Sequence, residues 1–232
     1  MDARTIEDFI HAKPLFRNAE PDLFEQLARH GTLVEWKRLQ SIDNDDGIEY
    51  LNIILEGKVK LTQIDPVSAR SITLFILEGG DLFDLLAFLD GRKHLSFPVA
   101  LEKTTALRVD MDHAREWLRR YPRFNAAFLP YVGEQMRRIE RFAESVVFDD
   151  TVTRLARLIL DHTSDKKPAE HDLYPVKLIN DLSHEVLAEM VGTVRSVVTS
   201  QLKKLKEEGL IVREKEGLAV KKMEELIRRY GL

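Results

Sequence analysis

Cysteine is absent from all 232 residues. Its absence removes disulfides, thiolate zinc sites, cysteine-ligated iron–sulfur clusters, and thiol nucleophiles or redox switches together. No apolar run approaches the ~20 residues needed to cross a bilayer, and the N-terminal MDARTIEDF is acidic and unlike a signal peptide, so a cytoplasmic protein is expected. A large excess of either charge is also missing: 35 Lys and Arg stand against 39 Asp and Glu, a net −4. That excludes a chain coated in basic charge but not a local patch, and Arg195 to Arg229 holds ten Lys and Arg against six Asp and Glu. Phosphate-cradling glycine loops, a Ser/His/Asp set and paired carboxylates do not stand out. Between Thr32 and Val109 the sole histidine is His94. Cupin-type metal catalysis needs two or three histidines and a carboxylate converging from neighbouring strands, so a metal enzyme is disfavoured.

What is present is centred on Leu182 to Leu205, LSHEVLAEMVGTVRSVVTSQLKKL. Ser183 suits an N-cap, Leu187, Ala188 and Val191 form an apolar stripe, and Gly192 suits the left-handed residue that stops a helix. A second helix restarts near Thr193 or Val194, with Val198, Leu202 and Leu205 at i, i+4 and i+7 facing inward. Arg195, Ser196, Thr199 and Ser200 then face outward, short donors and acceptors led by an arginine, as a helix entering a major groove requires. Lys203, Lys204 and Lys206 extend that face. LIVREKEGLAV follows as a predicted hairpin, a wing able to touch phosphates through Arg213 or Lys215.

Taken in order, Thr5 to Ile10 and Pro21 to His30 read as short helices, the second with Leu23, Phe24 and Leu27 inward. From Thr32 to Val109 come short β-prone runs, TLVEW, YLNIIL, KVKLTQI, SITLFIL, SFPVAL and TALRVD. Turn signals at Asp43–Gly47, Glu56–Lys58, Asp65–Ser68 and Glu78–Asp81 separate them, the texture of an antiparallel sandwich or jelly roll. LFDLLAFL within this region reads as a short helix. After Pro122 the longest helix begins, with Pro130 in its first turns or at a kink. Val132, Met136, Ile139, Ala143 and Val146 step by 4, 3, 4 and 3, a coiled-coil seam that predicts a homodimer. Asp149 and Asp150 are cap residues before VTRLARLILDH, and the polar segment His162 to Asp172 and the strand YPVKLI lead back to the helix pair.

This order resembles the CRP/FNR family of bacterial transcription regulators over nearly the full chain. The most specific piece is LAEMVGTVRSVVTSQLKKLKEEGLI at Leu187–Ile211, similar to the family's helix-turn-helix signature, and TRLARLIL at Thr153–Leu160 resembles the helix opening its DNA-binding domain. The resemblance implies an α+β protein. Residues 1–121 would be a sensor β-roll with N-terminal helices, 122–149 a dimerisation helix and 150–232 a winged helix-turn-helix domain. It also implies a homodimer on an inverted-repeat operator, an effector in the roll, and RNA polymerase as a further partner.

Departures from the family pattern shape the expected sites. Where cyclic-AMP-binding members carry a Glu for the ribose and an Arg for the phosphate, this chain has Leu85 and Leu95, although Ser96 keeps the family's serine. Leucine offers neither contact, so cyclic AMP is not expected, and the oxygen-sensing branch's cluster lacks its cysteines. The pocket expected from Phe83, Leu85, Leu86, Phe88, Leu95, Ser96 and Phe97, with Met136 and Ile139 of the long helix, has apolar walls that suit a hydrophobic ligand, a haem that senses diatomic gases, or a closed core. Candidate haem ligands are His11 and His94, then His30 and His113. In the recognition helix the family's usual Glu and Arg are Ser196 and Ser200, which leaves Arg195 as the expected guanine reader and Thr199, Lys203, Lys204 and Arg213 as phosphate contacts.

Overall fold

The computed structural model describes residues 2–11, 13–42, 48–93, 96–163, 173–214 and 217–231. The turn expected at Asp43–Gly47 lies outside them, as does most of the polar segment before β8. The chain divides into two compact units, one of residues 1–70 and 74–139, the other of 71–73 and 140–232.

The first unit opens with α1 (Ala3–Ile10), whose N-cap Asp2 accepts from the Thr5 N–H, and α2 (Pro21–His30), which begins on proline where the missing N–H is harmless. Then come β1 (Thr32–Trp36), β2 (Tyr50–Glu56), β3 (Lys58–Ile64), β4 (Ser71–Glu78, its first three residues grouped with the second unit), β5 (Leu82–Phe83), α3 (Leu85–Asp90), β6 (Phe97–Ala100) and β7 (Thr104–Asp110). One sheet has the order β1-β7-β2-β5, the other β4-β3-β6. β2 is apolar on both faces apart from Asn52, because both faces are covered. Leu51, Ile53 and Leu55 point into a cluster with the helices, while Ile54 points the other way, among Trp36, Val59, Leu77, Phe83 and Ala106 between the sheets.

The interior of the roll is also where polar groups meet. Asn52, on the same face as Ile54, donates from Nδ2 to Asp84 Oδ2 at 3.0 Å and accepts from Arg108 Nε at 3.2 Å. Arg108 stands directly across from Asn52 in the β2–β7 register.

α4 (Met111–Arg120) leads into α5 (Pro122–Phe148). The start of α5 is held by Glu20, whose carboxylate accepts from the Arg123 and Phe124 N–H groups at 2.8 and 3.2 Å. An aromatic file then locks its first turns: Phe124 packs on Phe16 and Trp117, and Phe128 on Phe88 with centroids 5.3 Å apart. Pro130 lies eight residues beyond Pro122, inside the helix and past its first turns, and α5 continues through it. Tyr131 adds a polar tether, accepting from the Leu82 N–H at 3.2 Å and donating to Asp81 at 3.4 Å. Beyond this the helix leaves its support, and Met136, Ile139, Ala143 and Val146 are exposed. The division between the two compact units falls here, inside α5, and in the second unit Arg157 donates to Asp149 at 2.7 Å.

The second unit holds α6 (Thr151–Asp161), capped by Asp150 through the Thr153 N–H, then β8 (Tyr174–Pro175), α7 (His184–Val191), α8 (Arg195–Glu207), β9 (Ile211–Glu214), β10 (Gly217–Val220) and α9 (Met223–Tyr230). Its three-stranded sheet has the order β8-β10-β9. The strand read in YPVKLI shrinks to two residues, and α9 has no counterpart in the sequence reading.

Candidate nucleic-acid interface

α7 and α8 form the helix pair at the spacing the sequence predicts. Ser183 Oγ accepts from the Val186 N–H at 3.3 Å. Gly192, at φ +67°, ends α7, and the Thr193 N–H reaches back to the Ala188 carbonyl at 2.9 Å. Leu187, Ala188 and Val191 of α7 and Val198 and Leu205 of α8 are buried, with Leu210, Ile211, Val220 and Leu226 completing the core beneath them. Leu202 is only half-buried.

Burial of that stripe fixes what α8 presents outward. Arg195, Ser196, Thr199, Ser200, Lys203 and Lys204 are all exposed, and so is Arg213 on β9. Lys203 and Lys204 lie 3.7 and 4.0 Å from Glu207 and Glu208, solvent-facing pairs that water and salt screen and that a phosphate can displace. Val197 is half-buried beside Arg195, and Val194, the N-cap of α8, is 60% exposed. The wing runs antiparallel, Arg213 opposite Leu218, while Lys215 lies outside the described residues.

One residue of this surface was missed in the sequence. His184, first in α7, puts Nδ1 2.8 Å from Thr199 Oγ1, and that hydroxyl donates to the Arg195 carbonyl at 2.9 Å. Burial lowers the imidazole pKa from its ordinary value, and the guanidinium charges of Arg213 and Arg195 lower it further. The available signal was its place directly after an N-cap serine, on the helix that braces the recognition helix.

Residues 153–229 match the Crp-like helix-turn-helix domain, and residues 42–121 match the cyclic nucleotide-binding domain. The chain belongs to the CRP/FNR family of transcription regulators. As a CRP/FNR regulator it is similar to the CRP-like cAMP-activated global transcriptional regulator of Mycobacterium tuberculosis, 24% identical over 97% of this chain and 99% of that one. It is 26% identical to the global nitrogen regulator of Nostoc sp., over 80% and 82% of the two chains. Its fold is that of a CooA mutant from Carboxydothermus hydrogenoformans, with a TM-score of 0.70 at 20% identity over 87% of this chain and 88% of that one.

In this CRP/FNR regulator the described residues among those expected to wall an effector pocket lie on different faces. Phe83 is sealed inside the roll with its ring 5.7 Å from Trp36, whereas Leu85 and Phe88 belong to the cluster on the other side of the sheet. Leu86 is 61% exposed and Met136 63%, with Phe97 and Ile139 also at the surface; Ser96 is buried. A helix as short as α3 turns Leu85 inward and Leu86 outward, which corrects their shared assignment. Leu95 and His94 lie outside the described residues. Of the other haem candidates, His11 is exposed and 3.9 Å from Glu7, and His30 and His113 stack on each other with centroids 4.6 Å apart. Trp36 and Phe83 occupy the space between the sheets, and Asn52 there is hydrogen-bonded to Asp84 and Arg108.

Proposed function

We propose that this regulator is a cytoplasmic homodimer that reads an inverted-repeat operator with the outward face of α8 and acts on transcription through RNA polymerase. Residues 122–149 pair the protomers, residues 150–232 read DNA, and residues 1–121 carry control by an effector other than cyclic AMP. The observation that carries the reading is the sorting along α8: every predicted contact is exposed, while Val198 and Leu205 are buried. Arg195 takes the guanine edge because it is the long bidentate donor at the N-terminal end of the helix, where base contacts concentrate. Lys203, Lys204 and Arg213 sit on phosphates and set register, and Thr199 lies among them with its hydroxyl donating to the Arg195 carbonyl.

Binding-site selection from a random duplex library tests this directly. The expected product is a two-fold symmetric sequence with half-sites about one helical turn apart. Recovery of no symmetric sequence, or binding that does not weaken steeply with salt, would remove the proposal.

A further inference from the structure

We infer that His184 is a phosphate contact that takes up a proton when DNA binds, so that operator affinity rises as pH falls. The inference rests on the DNA reading of α8 and adds to it a residue and a dependence. The hydrogen-bond chain assigns the tautomer. Thr199 Oγ1 spends its hydrogen on the Arg195 carbonyl, so it can only accept from the ring, and Nδ1 carries the hydrogen. In the neutral ring Nε2 is then a bare acceptor. The charged groups acting on it are Arg195 of α8 and Arg213 of β9, both cationic, and they oppose its protonation.

A backbone phosphate arriving at this surface reverses the balance. Its charge offsets the two guanidinium groups, and its oxygens are acceptors that repel an unprotonated Nε2. Protonation turns that repulsion into a charge-assisted hydrogen bond. Free protein therefore holds the ring neutral and bound protein holds it cationic, and binding consumes a proton. By linkage, affinity increases wherever the bound state carries more protons, which here means on lowering the pH.

The test uses the full chain and a fluorescein-labelled 40-base-pair duplex of random sequence, titrated at fixed ionic strength between pH 8 and pH 6. Wild type is expected to tighten about five- to tenfold per protomer over that span, and His184→Gln, which cannot titrate, less than about twofold. Calorimetry in two buffers of different ionisation enthalpy gives an independent readout on the unaltered protein: net proton uptake on binding for wild type, and none assigned to position 184 in the variant. Wild-type binding without a pH slope, or a His184→Gln slope equal to that of wild type, overturns the inference while leaving the DNA reading intact. Failure to bind the duplex at any pH would instead overturn the DNA reading, and this inference with it.

Discussion

Placing a glutamate at Ile139 should convert the protein from dimer to monomer, and the expected size of the effect can be worked from exposure. In the single chain Met136 is 63% exposed, Ile139 38% and Val146 44%. Complete burial of such a side chain is worth about 1.5 to 3 kcal/mol, so covering what these three leave to water is worth roughly 2 to 4 kcal/mol per helix and twice that per dimer. Association costs about 4 to 15 kcal/mol in lost freedom, so these three side chains supply only part of what a micromolar dimer needs, and the rest of the interface supplies the remainder. Ile139→Glu removes close to 1 kcal/mol of that burial from each helix. It also sets two carboxylates about 5 Å apart across the axis, worth roughly 3 kcal/mol of repulsion at an effective dielectric near 20. Together these weaken the dimer about a thousandfold or more. Sedimentation equilibrium at about 10 µM should find wild type as a dimer with a Kd near or below the micromolar range and the variant as a monomer. A variant that sediments as a dimer at that concentration would show that this stripe is not the seam.

Arg195→Ala should cost about 1 to 3 kcal/mol on the selected operator and relax preference at one base pair per half-site, whereas Lys204→Ala should weaken all duplexes alike and flatten the salt slope; a selection with unchanged preference at every position would take Arg195 out of the reading set. Cyclic AMP at millimolar concentration should leave the melting temperature unchanged, since a ligand stabilises only by binding the folded state; a rise of several degrees would restore the nucleotide as effector. Burial raises the pKa of Asp81, with the Glu78 N–H bond opposing that shift, so the ionised carboxylate is a cost to the folded state. A raised folded pKa means the cost is full above that pKa and disappears as pH falls below the ordinary carboxylate value. Asp81→Asn should therefore melt higher than wild type at pH 7 and lose that advantage near pH 3, and equal melting at both pH values would refute the assignment.

Local pattern carried a large part of this fold. The helix pair, its serine cap and its glycine stop were legible because each is a contact within four residues, as were the strands, whose alternation or double burial is written in consecutive positions. What escaped depends on residues far apart in the chain. Glu20 caps a helix that begins about a hundred positions later, and Asn52 joins Asp84 to Arg108 across three elements. Leu85 and Leu86 were grouped together for a related reason: α3 spans six residues, too few for periodicity to tell Leu85, which faces the core, from Leu86, which faces water. His184 escaped because its chemistry comes from Thr199, Arg195 and Arg213, none of them adjacent. α9 is absent from the sequence reading although Met223, Leu226, Ile227 and Tyr230 stand at i, i+3, i+4 and i+7, the spacing of one apolar helix face.

Gly192 has a consequence for how the turn between the two DNA-facing helices tolerates change. A methyl group built on its backbone would meet nothing within 4 Å, yet its φ is +67°. The constraint is therefore one of dihedral angle and not of room. Replacements at this position should rank first by their ease in left-handed backbone: asparagine nearest to glycine, alanine about 1 to 2 kcal/mol worse, and valine worse again for its branching although its Cβ meets nothing. A library at position 192 would fall into order when sorted by handedness before side-chain volume.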